Sequence, residues 1–291
     1  MRTDQLRGAS KASMAHAQAR WVKYLEQRVS GRHGMAHALT ISDEVFAFSD
    51  ALAESVALRR FCADPAVPAE AKKRLLRDLL PAATDPATIA ELEAAVAADW
   101  ASERDMRAAV EQLGMQAVVA GIRTQRAGAL VENQLLQLRA ELQASPEAVS
   151  FLMNSDYPLP ARQELVEKLL TAQNANPATI AFARRAVANF ASGHFMRNIG
   201  EAIEQLGASR GVTVANVASS VELSERQSKR LEKILTEKLG KPIAAFVTVD
   251  DSLIGGLRIE VDGRVIDNSV RSQLYDAGQH LLRSGNELMN V

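Results

Sequence analysis

Few residues in this 291-residue chain stand at spacings that support chemistry. Gly240-Lys241-Pro242 superficially matches the end of a phosphate-binding loop, in which backbone N–H groups and a lysine cradle a nucleotide. The glycine required five residues earlier is Leu235, and Pro242 replaces the Ser or Thr. His33 and His37 stand four apart, a spacing that could place both on one helix face as metal ligands. No Glu follows His33, and Gly31 and Gly34 make the segment read as an exposed loop. His16, His194 and His280 are isolated, with no triad logic. Asp250 and Asp251 could do paired acid–base work, but before Ser252 they read as a turn cap. Gly255-Gly256 could cradle a phosphate if a helix followed; a strand is expected there, so a bulge or close backbone approach is the reading. Cys62, the sole cysteine, cannot form an internal disulfide and reads as a small buried hydrophobe beside Phe61. No catalytic, metal or cofactor site emerges.

Composition points the same way. Hydrophobic residues make up 47% and charged residues 24%, the balance of a folded globular chain. A formal net charge of −1 gives no electrostatic case for nucleic acid. Apolar runs such as Met115 to Ile122 fall far short of a membrane span, no secretory leader is expected, and the basic, Ser-rich start, which loosely matches a mitochondrial targeting segment but is interrupted by Asp4, reads as a solvated helix end. Any membrane association is expected through a partner. The length implies two domains or three. Aromatics are only 4%, while Ala, Leu, Glu, Arg and Gln are plentiful, which favours closely packed helices.

The elements follow from periodicity and punctuation. Trp21, Val22, Leu25 and Val29 form one apolar stripe, and Val45, Phe48, Leu52 and Val56 another. Pro65 and Pro68 precede a helix with Leu75, Leu76, Leu79 and Leu80 as its apolar face, and Pro81 stops it. Asp85-Pro86 restarts a helix as N-cap and first-turn proline, and Asn176-Pro177 does the same further on.

That recurrence is part of a duplication. Phe61, Pro68, Leu75, Leu79 and Leu80 match Phe151, Pro158, Leu165, Leu169 and Leu170. Pro86-Ala87-Thr88-Ile89-Ala90 recurs as Pro177-Ala178-Thr179-Ile180-Ala181, and Met106-Arg107 as Met196-Arg197. Glu111-Gln112-Leu113-Gly114 recurs as Glu204-Gln205-Leu206-Gly207, and upstream Val45, Phe48, Leu52 and Ser55 align with Leu135, Leu138, Leu142 and Ser145. A period of roughly ninety residues suits a duplicated helical bundle, not a solenoid unit.

After Gly207 the pattern changes. Residues 211–220, with Val212, Val214 and Val217, read as a strand. Ser224-Glu225-Arg226-Gln227 is a capping box opening a helix with Leu231, Ile234, Leu235 and Leu239 inward, which Gly240 ends. Ala245 to Val249 reads as a strand. Leu257, Ile259 and Val261 alternate with Arg258 and Glu260 in the next, Asp262-Gly263 makes a two-residue hairpin turn, and Arg264 to Asp267 returns. Asp267 or Asn268 is expected to cap a last helix with Val270, Leu274, Ala277 and Leu281 inward.

The C-terminal stretch resembles the signature of the ATP synthase δ family, called the oligomycin sensitivity conferral protein in mitochondria. Leu223-Ser224…Gln227, Gly240-Lys241, Val249-Asp250, Ser252-Leu253-Ile254-Gly255-Gly256 and Val265-Ile266-Asp267-Asn268-Ser269-Val270 occur in the family's order and spacing. Upstream, Phe151-Leu152…Pro158…Leu165…Leu169-Leu170 and the Ala-rich segment around Ala15, Ala17, Ala19 and Tyr24 extend it over most of the chain. The departure is the extra helical copy.

The resemblance and the duplication together imply a mainly α protein: tandem N-terminal helical bundles (1–120 and 121–210) followed by a small C-terminal α/β domain (211–291). It implies a non-catalytic peripheral-stalk connector of a proton-translocating F-type ATP synthase, without cofactor, at the cytoplasmic face of the bacterial cell membrane and not inserted in it. A helical groove would take the amphipathic N-terminal helix of the head's α subunit. The α/β unit would hold the b-type stalk subunit, so that the head resists the rotor's torque. Ala15, Ala19 and Val22 either line that groove or join the intradomain core. Leu253, Ile254, Gly255, Gly256, Asp267 and Ser269 would be structural motif residues. Which copy grips the head is left open. A stand-alone helical adaptor would not need the C-terminal signature, and an enzyme would need a convergent polar pocket.

Overall fold

Prolines and short polar caps cut an Ala- and Leu-rich sequence into twelve helices among the described residues of the computed structural model: 8–154, 156–188, 195–250, 253–261, 264–270 and 272. They are α1 (Gly8–Arg28), α2 (Gly34–Glu54), α3 (Val56–Ala63), α4 (Ala69–Leu79), α5 (Pro86–Ala97), α6 (Glu103–Gln125), α7 (Gly128–Gln143), α8 (Pro146–Met153), α9 (Leu159–Ala172), α10 (Pro177–Ala188), α11 (Phe195–Ser209) and α12 (Glu225–Leu239). The strands are β1 (Thr213–Ser219), β2 (Ile243–Val249), β3 (Gly256–Val261) and β4 (Arg264–Ser269). The molecule is mainly α with a C-terminal α/β region. Two compact units emerge: Met1–Val131 with Phe151–Phe195, and Glu132–Ser150 with Met196–Val291.

The duplication is visible helix by helix. Helices α2 to α6 recur as α7 to α11. Asp85 caps α5 by accepting the Ala87 N–H at 2.8 Å, and Asn176 caps α10 by accepting that of Ala178 at 2.9 Å. Both satisfy a donor that a helix start otherwise leaves orphaned. Pro68 and Pro158 stand at the N-caps of α4 and α9 with the same extended backbone. Buried positions also correspond: Val45 with Leu135, Phe48 with Leu138, Leu52 with Leu142, Cys62 with Leu152, Leu76 with Val166, Leu80 with Leu170. The copies differ at α6, which runs 23 residues against 15 for α11. Its last turns lead straight into α7 through Arg126, whose left-handed φ of 53° closes the helix.

In the first unit the core gathers Met14, Trp21 and Leu25 of α1, Val45, Phe48 and Leu52 of α2, Leu92 and Val96 of α5, and Met106 and Val110 of α6. Trp21 is fully buried, and its indole N–H donates to the Leu113 carbonyl at 2.8 Å. Tyr24 is bonded to Thr88 at 2.7 Å. Both rings thus satisfy their polar atoms on burial.

Several apolar-stripe expectations need correction. Val22 is exposed: α1 buries Trp21 and Leu25 but turns Val22 outward. Val56 does not continue the α2 face, because Ser55 adopts an extended backbone, ends α2 and caps α3 by accepting the Leu58 N–H. On α4, Leu76 and Leu80 are buried while Leu79 is exposed, as is its repeat counterpart Leu169. Both histidines are exposed as expected, but only His33 stands in the turn, as the N-cap of α2, while His37 lies within the helix.

In the second unit β1 and β2 are parallel, joined through α12, and the sheet order is β2-β1-β3-β4. Leu231, Leu235 and Leu239 of α12 cover one sheet face, made by Ala215, Val217, Ile259 and Val261. Ser224 and Gln227 form the expected capping box. β3 and β4 pair antiparallel with Val261 opposite Arg264; the turn residues 262–263 lie outside the described residues, as do Leu274, Ala277 and Leu281. Asp267 is not the cap of a following helix. Asp267 and Asn268 are both in the β4 ladder, opposite Arg258 and Leu257. The Ser269 hydroxyl accepts the Ser272 N–H at 3.3 Å, and the body of the expected last helix lies outside the described residues.

Candidate functional site

A concave surface lies between α1 and α5 in the first unit. Small residues hold the two helices close without filling the space between them: Ala12, Ser13 and Ala17 on α1, Ala94 and Ala97 on α5, and Ala98 just beyond it. The result is a cavity of about 300 Å³ floored by Trp21 and Leu113. Its rim is polar. Arg20 pairs with Glu91 across the two helices at 3.0 Å, and the Ser13 hydroxyl donates to the Asp99 carbonyl at 2.6 Å. His16 lines the wall. An apolar floor inside a charged rim fits an amphipathic helix laid on its apolar side, and it offers no convergent set of groups for covalent chemistry.

Ala15, Ala19 and Val22 share one exposed stripe of α1. They belong to neither the core nor the cavity lining, which α1 builds from residues 12, 13, 16, 17, 20 and 21. Helix α1 thus presents two separate faces, the cavity wall and the stripe singled out in the sequence. The α5 side of the cavity carries a signal in the sequence: Ala94, Ala97 and Ala98 set small side chains at helical spacing along the end of α5 and its C-cap.

The C-terminal motif closes the sheet. Gly256 has φ +83°, and a Cβ there would lie 2.4 Å from the Asn268 carbonyl oxygen, so only glycine fits. The Gly255 carbonyl accepts the Val270 N–H at 2.9 Å. Asp267 accepts the Ser269 N–H at 2.9 Å, and hydrogen bonds from Ser269 hold its carboxyl below the usual range. Ser269 is buried. Together Gly255, Gly256, Asp267 and Ser269 fasten the start of β3 to the end of β4. Leu253 is half-buried, and its N–H donates to the Asp250 carbonyl at 3.0 Å. Ile254 projects into solvent, 71% exposed, and Val249 and Val265 are also exposed.

The remaining sequence candidates resolve as scaffold. Gly240 is the left-handed C-cap of α12, φ 68°, and its N–H donates to the Thr236 carbonyl, which is a helix end and not a phosphate loop. The His33 and His37 rings are 6.5 Å apart, and among the described residues no three His, Cys, Asp or Glu side chains gather as a metal-binding set. Asp250 meets Arg258 at 3.5 Å. Cys62 is buried, and burial pushes its thiol up to about 11. Among the described residues no helix is long and apolar enough to cross a membrane.

One cluster had no sequence expectation. Arg185 on α10 is buried, with its Nε donating to Glu111 at 2.6 Å and its Nη1 to Asp50 at 2.6 Å. Its Nη2 donates to Ser49 at 3.0 Å and also reaches Glu111. The guanidinium lies 4.3 Å from the Phe46 ring centre. Burial opposes its charge, and the Glu111 and Asp50 carboxylates outweigh it, so its pKa stands above the ordinary value. The signal was the repeat itself: Arg185 occupies the position that Ala94 holds in the first copy.

The family model described as ATP synthase delta (OSCP) subunit matches residues 116–281. ATP synthase subunit delta of Beutenbergia cavernae is 30% identical over 276 residues, covering 95% of this chain and 99% of that relative. The subunit delta of Kineococcus radiotolerans is 32% identical, covering 94% and 97%, and that of Nocardioides sp. is 32% identical, covering 93% and 98%. Both helical copies therefore fall inside lengths that these relatives share.

Proposed function

The chain belongs to the ATP synthase δ (OSCP) subunit family, and from that membership we propose how its parts divide the work of a connector. It is a structural, non-catalytic subunit of the peripheral stalk of F-type ATP synthase, a peripheral part of a membrane-bound complex that couples ion transport to ATP synthesis. In our reading, residues 1–120, 121–210 and 211–291 carry separate tasks at the cytoplasmic face of a bacterial membrane. The first segment grips the head by seating the amphipathic N-terminal helix of an α subunit in the α1/α5 groove. The observation that carries this is the cavity floored by Trp21 and Leu113 and rimmed by the Arg20–Glu91 pair. The exposed Ala15–Ala19–Val22 stripe is the alternative contact on the same helix. The C-terminal segment holds the b-type stalk subunit, a reading supported by the exposed Val249, Ile254 and Val265.

The test is titration of the intact chain with a peptide copying the α-subunit N-terminal helix. Ala94→Arg puts a charge into the groove wall and should weaken binding about a hundredfold, while Ala19→Arg should leave it within about twofold. The reverse ranking would move the contact to the stripe, and unchanged affinity in both variants would sink the assignment of head docking to α1.

A further inference from the structure

We infer that α2 of the first copy is the built-in occupant of the second copy's groove, so that the chain offers one groove to an external amphipathic helix and not two. The count of external helices rests on the docking reading above; the internal occupancy does not.

The repeat fixes the correspondence. Pro86–Ala97 and Pro177–Ala188 align without a gap, which puts Arg185 at the position of Ala94. The last turns of α6 precede α7 as α1 precedes α2, and the family match begins at residue 116, inside α6. The counterpart of the α1/α5 groove is therefore the seam between α6 and α10.

That seam is filled. Ala94 lines an open cavity, whereas Arg185 reaches Ser49 and Asp50 of α2 and stacks over Phe46 of the same helix. On the α6 side a Cβ at Gly114 would lie 2.4 Å from the Phe46 ring. This glycine of α6 thus accepts Phe46 of α2 in a way that a larger residue would not. Helix α2 is consequently buried on two sides. Val45, Phe48 and Leu52 enter the first copy's core, and Phe46 and Ser49 are buried as well. An outside helix could enter the α6/α10 seam only by stripping a buried arginine of Glu111, Asp50 and Ser49 together, which leaves buried charge without partners.

The test uses the intact chain. Titration with the α-subunit N-terminal helix peptide should give one equivalent bound, weakened about a hundredfold in Ala94→Arg. Two equivalents in the wild type, or one equivalent retained at full affinity in both Ala94→Arg and Ala19→Arg, would overturn the inference and leave helix docking itself intact. Amide hydrogen exchange supplies a readout without any partner. In Arg185→Met, which removes the charge and keeps much of the volume, exchange in 34–54 and 177–188 should rise together by tenfold or more, and Asp50→Asn should give a smaller joint rise. A rise confined to 177–188 in both variants would overturn the inference. If the wild-type chain bound no peptide while both helices loosened together, the docking reading would fall and the internal occupancy would stand.

Discussion

The first and second helical copies share their scaffold and differ in what their grooves do. Asp85 and Asn176 cap equivalent helices through the same bond, and Leu76, Leu80, Val166 and Leu170 fill equivalent core positions. Facing residues diverge: Ala94 lines an open cavity, while Arg185 is buried against α2. A duplicated bundle must keep the positions that bury apolar surface and satisfy helix ends, because each change there costs stability outright. Groove positions carry no such obligation. In the arrangement we propose, one side-chain exchange on that surface separates a copy free to take an outside helix from a copy occupied by its neighbour.

The comparison is broken most severely at Arg185. Arg185→Ala strips the partly buried Glu111 of its partner while Asp50, 42% exposed, keeps contact with solvent, and losing hydrogen bonds to such a charged group costs about 1.5–3 kcal/mol. Ala94→Arg, its mirror image, places a long side chain beside an open groove where the charge can reach solvent, and should cost no more than about 0.5 kcal/mol. Urea unfolding midpoints of the two variants check this asymmetry. Equal losses would mean that the two grooves are occupied alike.

How much of this was legible in the sequence depends on the kind of force involved. Caps and breaks are local: Asp85-Pro86, Asn176-Pro177, Ser224 with Gln227, and Gly240 each declare a helix end from their own chemistry, and the structure places those ends there. Strand alternation from Leu257 to Val261 was equally local. The exposure of Val22 and the ending of α2 at Ser55 were not, since stripes of apolar residues do not say which member a neighbouring helix will cover. The Gly255-Gly256 contact with β4 could be anticipated as a close approach, whereas the continuation of the ladder through Asp267 and Asn268 could not. The Arg185 cluster joins residues more than seventy apart. No local pattern announces such a pair, although an arginine replacing alanine inside a repeat marks where two copies part ways.

A smaller effect sharpens the contrast at α6. Gly114→Ala would press a methyl into the Phe46 ring, and overpacking of this kind costs about 1–3 kcal/mol. The loss should be relieved in part by Phe46→Leu in the same chain, a double-mutant coupling readable from unfolding midpoints. Simple additivity would show that Phe46 is able to move aside, and that the α2 fit to α6 is looser than its glycine implies.

The smallest effect should be the most symmetric. Asp85→Ala and Asn176→Ala each delete one N-cap acceptor, and each should cost about 1 kcal/mol. Cys62 lets the first copy be watched by itself, because its counterpart in the second copy is Leu152. Burial raises the thiol to about 11, so below that pH the folded chain holds a neutral thiol that alkylating reagents attack slowly. The sign of the linkage follows: with the folded value above the ordinary 9.0, this group's contribution to stability is whole below about pH 9 and falls away toward 11. At pH 8, labelling of Cys62 therefore reports opening of the first copy. It should accelerate about fivefold in Asp85→Ala, as a 1 kcal/mol loss requires, and less in Asn176→Ala if the second copy can loosen at α10 while α3 stays closed. Equal acceleration in both would mean that the first unit opens as one cooperative body, with α10 as much a part of its core as α5.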